Sequence, residues 1–292
     1  MRYSWIKKER KSYPFTLWCR VLQVSTSGYY DWVGRAPSPQ QQRRNAIGQA
    51  VARSHFESYQ IYGYRKVWEY LAEQEIACCE ETVRRALQDL GLFSRIKRQF
   101  VVTTDSNHPY PIAENILARD FTATAPNQKW LTDITSILTR EGWLYLAAVL
   151  DVYSRKMVGW STSEWIDTEL VKSALRMATT QRMPGAGLLH HSDRGSQYAS
   201  DAYQQALDDL DMVCSMSRKG DCWDNAMMES FFGSLKTEWV YNEDYQTREE
   251  AKQSLFKYIE LFYNRQRRHA ALGYVSPVEF GRRNELTQDQ VA

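Results

Sequence analysis

The chain has 292 residues, of which 43% are hydrophobic and 25% are charged. These fractions are typical of globular proteins and exclude wholesale disorder, and the length suggests two domains, or one large domain with an appendage. Because the chain contains no run of 18 apolar residues and its N-terminus lacks the features of a secretory signal, we expect a cytoplasmic protein without a membrane partner.

The five cysteines are Cys19, Cys78, Cys79, Cys214 and Cys222. Their odd number and the lack of a CxxC pair argue against a disulfide framework and against a structural zinc site. Cys214 and Cys222 could form a redox pair, but buried or neutral thiols in a reducing compartment are the favoured interpretation.

The net charge of +2 hides an uneven distribution along the chain. Residues 1–110 carry 17 Lys and Arg against 10 Asp and Glu, an excess of +7, whereas residues 111–292 carry 20 against 25, an excess of −5. This split indicates a polyanion-binding module joined to a region that concentrates carboxylates.

Residues 1–45 are expected to form a small helical region that ends in a linker. Helical periodicity covers residues 15–23, and a second helix is expected over residues 26–32, with Ser25 or Thr26 as its N-cap. Two prolines and a polar run make residues 35–44 typical of a linker.

Residues 46–110 have the pattern of a helix-turn-helix-like DNA-binding domain. Helices are expected over residues 46–58, 65–73 and 80–90, followed by Gly91 as a C-terminal glycine. Arg84 and Arg85 lie in the last helix, where a helix-turn-helix protein carries its DNA contacts. An ordinary helical bundle with a solvated basic face would show the same pattern.

Residues 111–285 follow a loop-rich connector and have the sequence pattern of an α/β fold. Strands are expected over residues 129–139, 142–151, 156–161, 187–192 and 212–217. Helices are expected over residues 167–181, 200–210, 224–240 and 247–263, and residues 286–292 form a tail. Three strands in a meander followed by alternating helices and strands predict a single α/β core.

Three acidic residues of this core fall at positions that suit chemistry. Asp133 interrupts an apolar strand, where a charge is costly unless it is exposed, paired or bound to a metal ion. Asp193 follows the fourth strand, at the edge where open α/β sheets place ligands, and Glu229 lies on an amphipathic helix. Three converging carboxylates predict a Mg²⁺ or Mn²⁺ site suited to two-metal phosphoryl chemistry. The sequence contains no Gly-rich phosphate-binding loop, so it does not support nucleotide hydrolysis.

The motifs around these acids resemble those of transposases with a retroviral-integrase-like core, and more narrowly the second-frame product of the insertion-sequence-three family of bacterial elements. The matching segments are residues 62–65, 83–92, 130–135, 191–198, 217–220, 224–238 and 263–277. Thirty-five residues separate Asp193 from Glu229, and Lys236 follows Glu229 by seven positions, as in this group. The resemblance covers nearly the whole chain.

This resemblance implies an RNase H-like fold: a five-stranded mixed sheet flanked by helices, preceded by an all-α helix-turn-helix region. It implies a DDE-type transposase in which Asp133, Asp193 and Glu229 bind two Mg²⁺ ions, with Mn²⁺ as a substitute, and in which DNA is cut and joined at the ends of the element. Asn225 would support the helix of Glu229, and residues 217–223 would form a mobile loop. The residues expected to contact DNA are Lys236, Asn225, Arg84, Arg85, Arg65, Arg218, Lys219, Arg267 and His269.

The implied partners are DNA, at the terminal repeats and at the target, further copies of the chain on DNA, and an upstream-frame product. The chain has no leucine-zipper heptads, so it could be only the downstream half of an active fused transposase. It also lacks the His-His-Cys-Cys zinc domain of retroviral integrases.

Two other functions remain open from the sequence. The chain could be a non-catalytic DNA-binding regulator of the fused transposase, or an RNase H-like nuclease that acts on RNA–DNA hybrids. The helix-turn-helix-like region and Lys236 favour transposition over the nuclease. For His191, two interpretations stay open: a hydrogen-bond donor that tunes the metal site, or a buried strand residue.

Overall fold

The computed structural model describes residues 2–9, 13–96, 110–218 and 222–289. Its helices are α1 (Arg2–Glu9), α2 (Phe15–Val21), α3 (Thr26–Gly34), α4 (Pro39–Glu57), α5 (Tyr64–Glu73), α6 (Glu80–Asp89), α7 (Thr168–Arg182), α8 (Ser196–Ala199), α9 (Asp201–Asp208), α10 (Ala226–Glu238), α11 (Arg248–Phe256) and α12 (Pro277–Asp289). Its strands are β1 (Lys129–Thr139), β2 (Gly142–Asp151), β3 (Met157–Ser163), β4 (Leu189–Ser192) and β5 (Val213–Met216).

The first three helices form a small bundle. Ser25 caps α3, as expected, by accepting a hydrogen bond from the backbone N–H of Gly28 at 3.0 Å. The linker predicted over residues 35–44 is wrong in its second half, because α4 already begins at Pro39. Proline suits the first helical turn, and Ser38 caps the helix through the backbone N–H of Gln41.

Helices α4 to α6 match the predicted helix-turn-helix-like region. Val67 and Leu71 of α5 pack with Val83 and Leu87 of α6 in a buried apolar core. Gly91 has a φ of +66°, which L-residues rarely adopt, and it follows the end of α6 as expected.

The five strands form one mixed sheet in the order β3-β2-β1-β4-β5. The meander β1-β2-β3 is antiparallel, whereas β4 pairs parallel with β1 and with β5. The predicted α/β architecture with a five-stranded mixed sheet is therefore confirmed.

Apolar side chains cover both faces of the sheet, because successive residues of a strand point to opposite sides. On one face Trp130, Ala147 and Val149 pack with α7 and α9. On the other face Leu131 and Ala148 pack with the two-helix layer of α10 and α11. That second core continues without interruption into α4, α5 and α6, so the helix-turn-helix-like region shares its interior with the sheet.

The C-terminal part is more helical than expected. Helix α11 runs on into a π-helical segment (Lys257–Tyr263), and α12 extends to Asp289, into the residues predicted to be a tail. Within the described ranges, no helix is both long enough and apolar enough to cross a membrane. Cys19, Cys78, Cys79 and Cys214 are free thiols, as expected, and the side chain of Cys222 lies outside the described part of the chain.

Candidate active site

Strand register brings the first two acids side by side. Leu131 of β1 pairs with His191 of the parallel strand β4. Asp133 and Asp193 each lie two residues further along the chain, so they come at one level: Asp133 is still within β1, where it pairs with Ala148 of β2, and Asp193 directly follows the end of β4. The parallel pairing of β1 with β4 therefore explains why residues 60 positions apart in the sequence are neighbours.

The third acid reaches the same edge on α10. The side-chain N–H of Asn225 donates a hydrogen bond to the backbone carbonyl of Thr132 at 3.1 Å and thereby fixes the start of α10 against β1. Glu229 follows Asn225 by one helical turn and is exposed. Asn225 itself is buried, so its predicted DNA contact is replaced by a positioning contact next to Asp133.

Asp133 lies close enough to Asp193, Glu229 and Lys236 for their charges to act on it. Burial raises the pKa of Asp133 well above its ordinary value, and the negative charges of Asp193 and Glu229 raise it further. The backbone N–H of Ile134, which donates to the Asp133 carboxylate at 2.8 Å, and the charge of Lys236 act in the opposite direction. Burial also raises the pKa of Glu229.

The carboxylates are neighbours without forming a coordination shell. In the described ranges, no three His, Cys, Asp or Glu side chains are grouped closely enough to hold a metal ion. The donor set nevertheless fits a hard divalent cation, because it consists of carboxylate oxygens whose mutual repulsion such a cation would relieve. The side chain of Glu229 is exposed at this edge of the sheet.

Lys236 lies on α10 between the acids and an open cavity. The charge of Asp133 raises its pKa, whereas burial, the larger effect, lowers it. Lys236 also lines a cavity of about 670 Å³ formed by the end of β1 and residues 240–245. Its ammonium group is therefore placed where a polyanion approaching the acids would meet it.

His191 belongs to a buried hydrogen-bond chain that ties β4 to β5. The Ser215 hydroxyl accepts from the backbone N–H groups of Ile116 and Leu117, so its own hydrogen points to Nδ1 of His191 at 2.9 Å. Nε2 of His191 then donates to Ser217 at 3.0 Å. Burial lowers the pKa of His191 to about 4, so the ring is neutral and supports the loop base beside Asp193.

The sequence reasoning missed Asp224, which is fully buried. Its carboxylate accepts hydrogen bonds from Asn115 and Arg119 and from the backbone and guanidinium of Arg218, at 2.8–3.1 Å. These contacts hold its pKa well below the ordinary value. The guanidinium of Arg218, predicted to contact DNA, thus fastens the loop after β5 to α10, while Lys219 lies outside the described residues.

The structure contradicts the predicted DNA contacts of Arg267 and His269, which are buried. Arg267 forms a two-pronged ion pair with Glu238 of α10, at 2.6 and 2.8 Å, and Tyr258 donates to the same carboxylate. His269 stacks edge-on against Tyr263, and burial lowers its pKa to about 2. Glu238 is the residue that the sequence interpretation did not identify, since its partner lies 29 positions away.

The three candidate arginines of the helix-turn-helix-like region remain at the surface. Arg65 is exposed on α5, and Arg84 and Arg85 of α6 both bind Glu81 of their own helix. These ion pairs lower the pKa of Glu81 to about 2. A polyanion would have to compete with Glu81 for both α6 arginines.

Comparisons with known proteins identify the family of the chain. Models of the integrase core domain match residues 123–222 and 229–285, and a model of an HTH-like domain matches residues 42–100. The chain is 44% identical over 262 residues to the insertion element IS600 uncharacterized 31 kDa protein of Shigella sonnei, covering 90% of this chain and 96% of that protein. It is 40% identical over 286 residues to the transposase InsF for insertion sequence IS3A of Escherichia coli strain K12, covering 97% and 99%.

Among solved structures, similar chains include that of a simian T-cell lymphotropic virus intasome, with a TM-score of 0.47 and 15% identity over 79% of this chain and 74% of the other. The catalytic core domain of HTLV-2 integrase in complex with magnesium has a TM-score of 0.43 and 14% identity over 55% and 99%. The full-length identity to InsF, together with the integrase core and HTH-like matches, shows that the chain belongs to the IS3 family of DNA transposases.

Proposed function

We propose that Asp133, Asp193 and Glu229 are the catalytic carboxylates of this transposase and that they hold two Mg²⁺ ions, with Mn²⁺ as a substitute. The observation that carries the proposal is the position of Asp193 and Glu229 near Asp133, whose pKa is raised by burial and by these two carboxylates. A protein keeps such a repulsive arrangement where a cation compensates it.

Bound magnesium would supply Lewis acidity for the attack of water or of a 3′-hydroxyl on a DNA phosphodiester and for the departure of the leaving oxygen. In the first reaction water adds to phosphorus, the P–O3′ bond breaks, and the element end is left with a 3′-hydroxyl. In the second reaction that hydroxyl attacks another phosphodiester, one P–O bond replaces another, and a new 3′-hydroxyl leaves.

The chain's own residues divide the remaining tasks. Asp133 on β1 and Asp193, directly after β4, fix the site, whereas the exposed Glu229 closes it from α10. Lys236 offsets negative charge near the scissile phosphate. Asn225 keeps α10 in register with β1 through its bond to Thr132 and is a positioning residue.

We also propose that the DNA ends and the target are the substrates and that several copies of the chain assemble on them, with an upstream-frame product or a fused form as a further partner. Arg65, Arg84, Arg85 and Lys219 remain candidate phosphate contacts. The alternative, a non-catalytic regulator, is less well supported because the charges of Asp193 and Glu229 act on Asp133, an arrangement that suits a cation.

The test is a nicking and strand-transfer assay on duplex DNA carrying the ends of the element, with Mg²⁺ or Mn²⁺. Asp133→Asn, Asp193→Asn and Glu229→Gln should each reduce both activities by about 10³-fold or more, because each removes a metal-binding charge. The exposed acids of α9 and α7 provide matched controls, Asp201→Asn and Glu169→Gln, which should retain activity. Near-wild-type strand transfer by any of the three site variants would refute the triad.

The regulator alternative is separated by comparing the separate chain with a form fused to the upstream-frame product. An inactive separate chain that inhibits an active fused form would favour regulation, and activity of both would favour catalysis by this chain.

A further inference from the structure

The excess positive charge of the front of the chain lies mostly outside the HTH-like region. Residues 1–35 contain seven Lys and Arg and two Asp and Glu, whereas residues 36–110 contain ten and eight. The first 35 residues therefore supply +5 of the +7 excess. Charge of this density on so short a segment is typical of a surface that meets a polyanion.

Helices α1 to α3 form a unit of their own. Their buried side chains Ile6, Cys19 and Tyr29 belong to neither of the two cores that flank the sheet. Aromatic rings fill this small bundle: Tyr3 packs on Tyr29 with centroids 6.1 Å apart, and Phe15 packs on Tyr29 at 4.8 Å.

The connection of α2 to α3 is a tight helix-turn-helix turn. Four residues, 22–25, separate the two helices, and Gln23 takes a left-handed conformation with a φ of +52°. The backbone N–H of Val24 closes α2 by donating to Cys19 at 3.0 Å. Six residues separate α5 from α6, so the first unit has the shorter turn, as helix-turn-helix units do.

Helix α1 packs against the first turn of α3. A Cβ atom at Gly28 would lie 2.5 Å from the Tyr3 hydroxyl, so the two helices approach closely at the start of α3. The side chains of Thr26, Ser27 and Tyr30 at the start of α3 are exposed, and the Tyr30 ring also packs on Phe15 at 5.4 Å. In DNA-binding helix-turn-helix units, the first turns of the second helix carry the residues that touch bases.

The basic side chains of this unit are available to phosphates. Lys7, Lys8 and Arg20 are exposed, and they form no salt bridge with any residue that the structure describes. Arg84 and Arg85 of α6, in contrast, both bind Glu81.

We infer that residues 2–35 are a second helix-turn-helix unit that binds duplex DNA, with α3 in the groove and the basic residues of α1 and α2 on the backbone. The inference rests on the chain's acting as a transposase on DNA and extends it, because it assigns a DNA contact to a segment outside the HTH-like match at residues 42–100.

The experiment measures binding of the full-length chain to a random-sequence duplex in EDTA over a range of salt concentrations. Lys7→Glu/Lys8→Glu should weaken binding at least tenfold near 0.1 M salt and lower the slope of log K against log salt by about two, because two phosphate contacts are lost. Arg176→Glu/Arg282→Glu makes the same change in net charge on exposed residues of α7 and α12, and should change affinity less than twofold.

A second variant tests the groove contact. Tyr30, which is 57% exposed, can be replaced by alanine. Tyr30→Ala should weaken binding while leaving the salt slope unchanged, since no phosphate contact is removed.

The inference is overturned if the Lys7→Glu/Lys8→Glu variant keeps the wild-type salt slope. It is also overturned if the variant changes only the sedimentation behaviour of the chain, a result that would assign this surface to a protein partner. Binding in EDTA requires no catalysis, so this outcome is independent of the strand-transfer assay that tests the three acids.

Discussion

Two groups of charged side chains differ in how their charges are compensated. Burial and the charges of Asp193 and Glu229 raise the pKa of Asp133, and the charge of Lys236 acts in the opposite direction. Around Glu238, the carboxylate is bound by Arg267 and Tyr258, and Lys66 of α5 lies close enough to lower its pKa. The first group holds negative charge in excess and suits a cationic ligand, whereas the second is internally balanced and holds helices together.

The largest expected effect is the loss of one partner from the balanced group. Arg267→Met should destabilise the protein by about 3–5 kcal/mol, because it leaves the Glu238 carboxylate buried without its cation. Denaturant unfolding would measure the loss. Arg267→Met combined with Glu238→Gln should recover part of it, and a single variant as stable as the wild type would contradict the balanced description.

Removal of one charge from the Asp133 group is expected to stabilise the protein rather than destabilise it. Asp133→Asn should raise the melting temperature of the metal-free protein, since it removes repulsion from Asp193 and Glu229, and by the proposed role of Asp133 it should also abolish activity. Millimolar Mg²⁺ should stabilise the wild type and not the variant. If calorimetry shows equal stabilisation of both by Mg²⁺, the ion binds elsewhere.

The same comparison predicts a pH dependence. The pKa of Asp133 is raised in the folded state, so the folded protein binds more protons than the unfolded chain above the ordinary carboxyl pKa. The stability that this group contributes is present at acidic pH and is lost as pH rises through its folded pKa. In EDTA, the free energy of unfolding of the wild type should decline as pH rises through this range, and the decline should be smaller for Asp133→Asn.

A smaller change of opposite sign should appear at alkaline pH. Burial lowers the pKa of Lys66 to about 8 from an ordinary value of 10.5. Between these two values the unfolded chain binds more protons, so stability should rise with pH through this window. Lys66→Met should remove that rise, and an unchanged alkaline profile would show that Lys66 is not desolvated.

The smallest effect is expected at the surface of α6. Glu81→Gln breaks ion pairs that are exposed to solvent and should leave stability almost unchanged. Because it also releases Arg84 and Arg85, it should strengthen duplex binding if these arginines contact phosphates. Tighter binding at low salt would support that role, and unaltered binding would remove both arginines from the DNA surface.

The sequence predicted what local spacing determines. Alternation placed β1, helical periodicity placed α10, and parallel pairing then brought Asp133 and Asp193 together, because both lie two residues beyond a paired position. Arg267 and Glu238 could not be paired in advance, since Glu238 lies on one predicted helix and Arg267, 29 positions later, lies beyond the end of the next. The linker over residues 35–44 failed for a local reason, as Ser38-Pro39 is a helix start as well as a turn signal.

The uninterrupted core between the sheet and helices α4 to α6 limits how the chain can be divided. Tyr59 packs on Trp239 and Phe262, and the Tyr62 hydroxyl donates to the backbone of Gln266. A fragment that starts at residue 110 would lack the α4–α6 region and would expose Trp239 and Phe262 to water, which favours aggregation. Fragments of the catalytic core that remain monodisperse should therefore begin before Pro39. A chimeric protein that takes α4 to α6 from a relative would also need the residues of α10 and of the π-helical segment that pack against these helices.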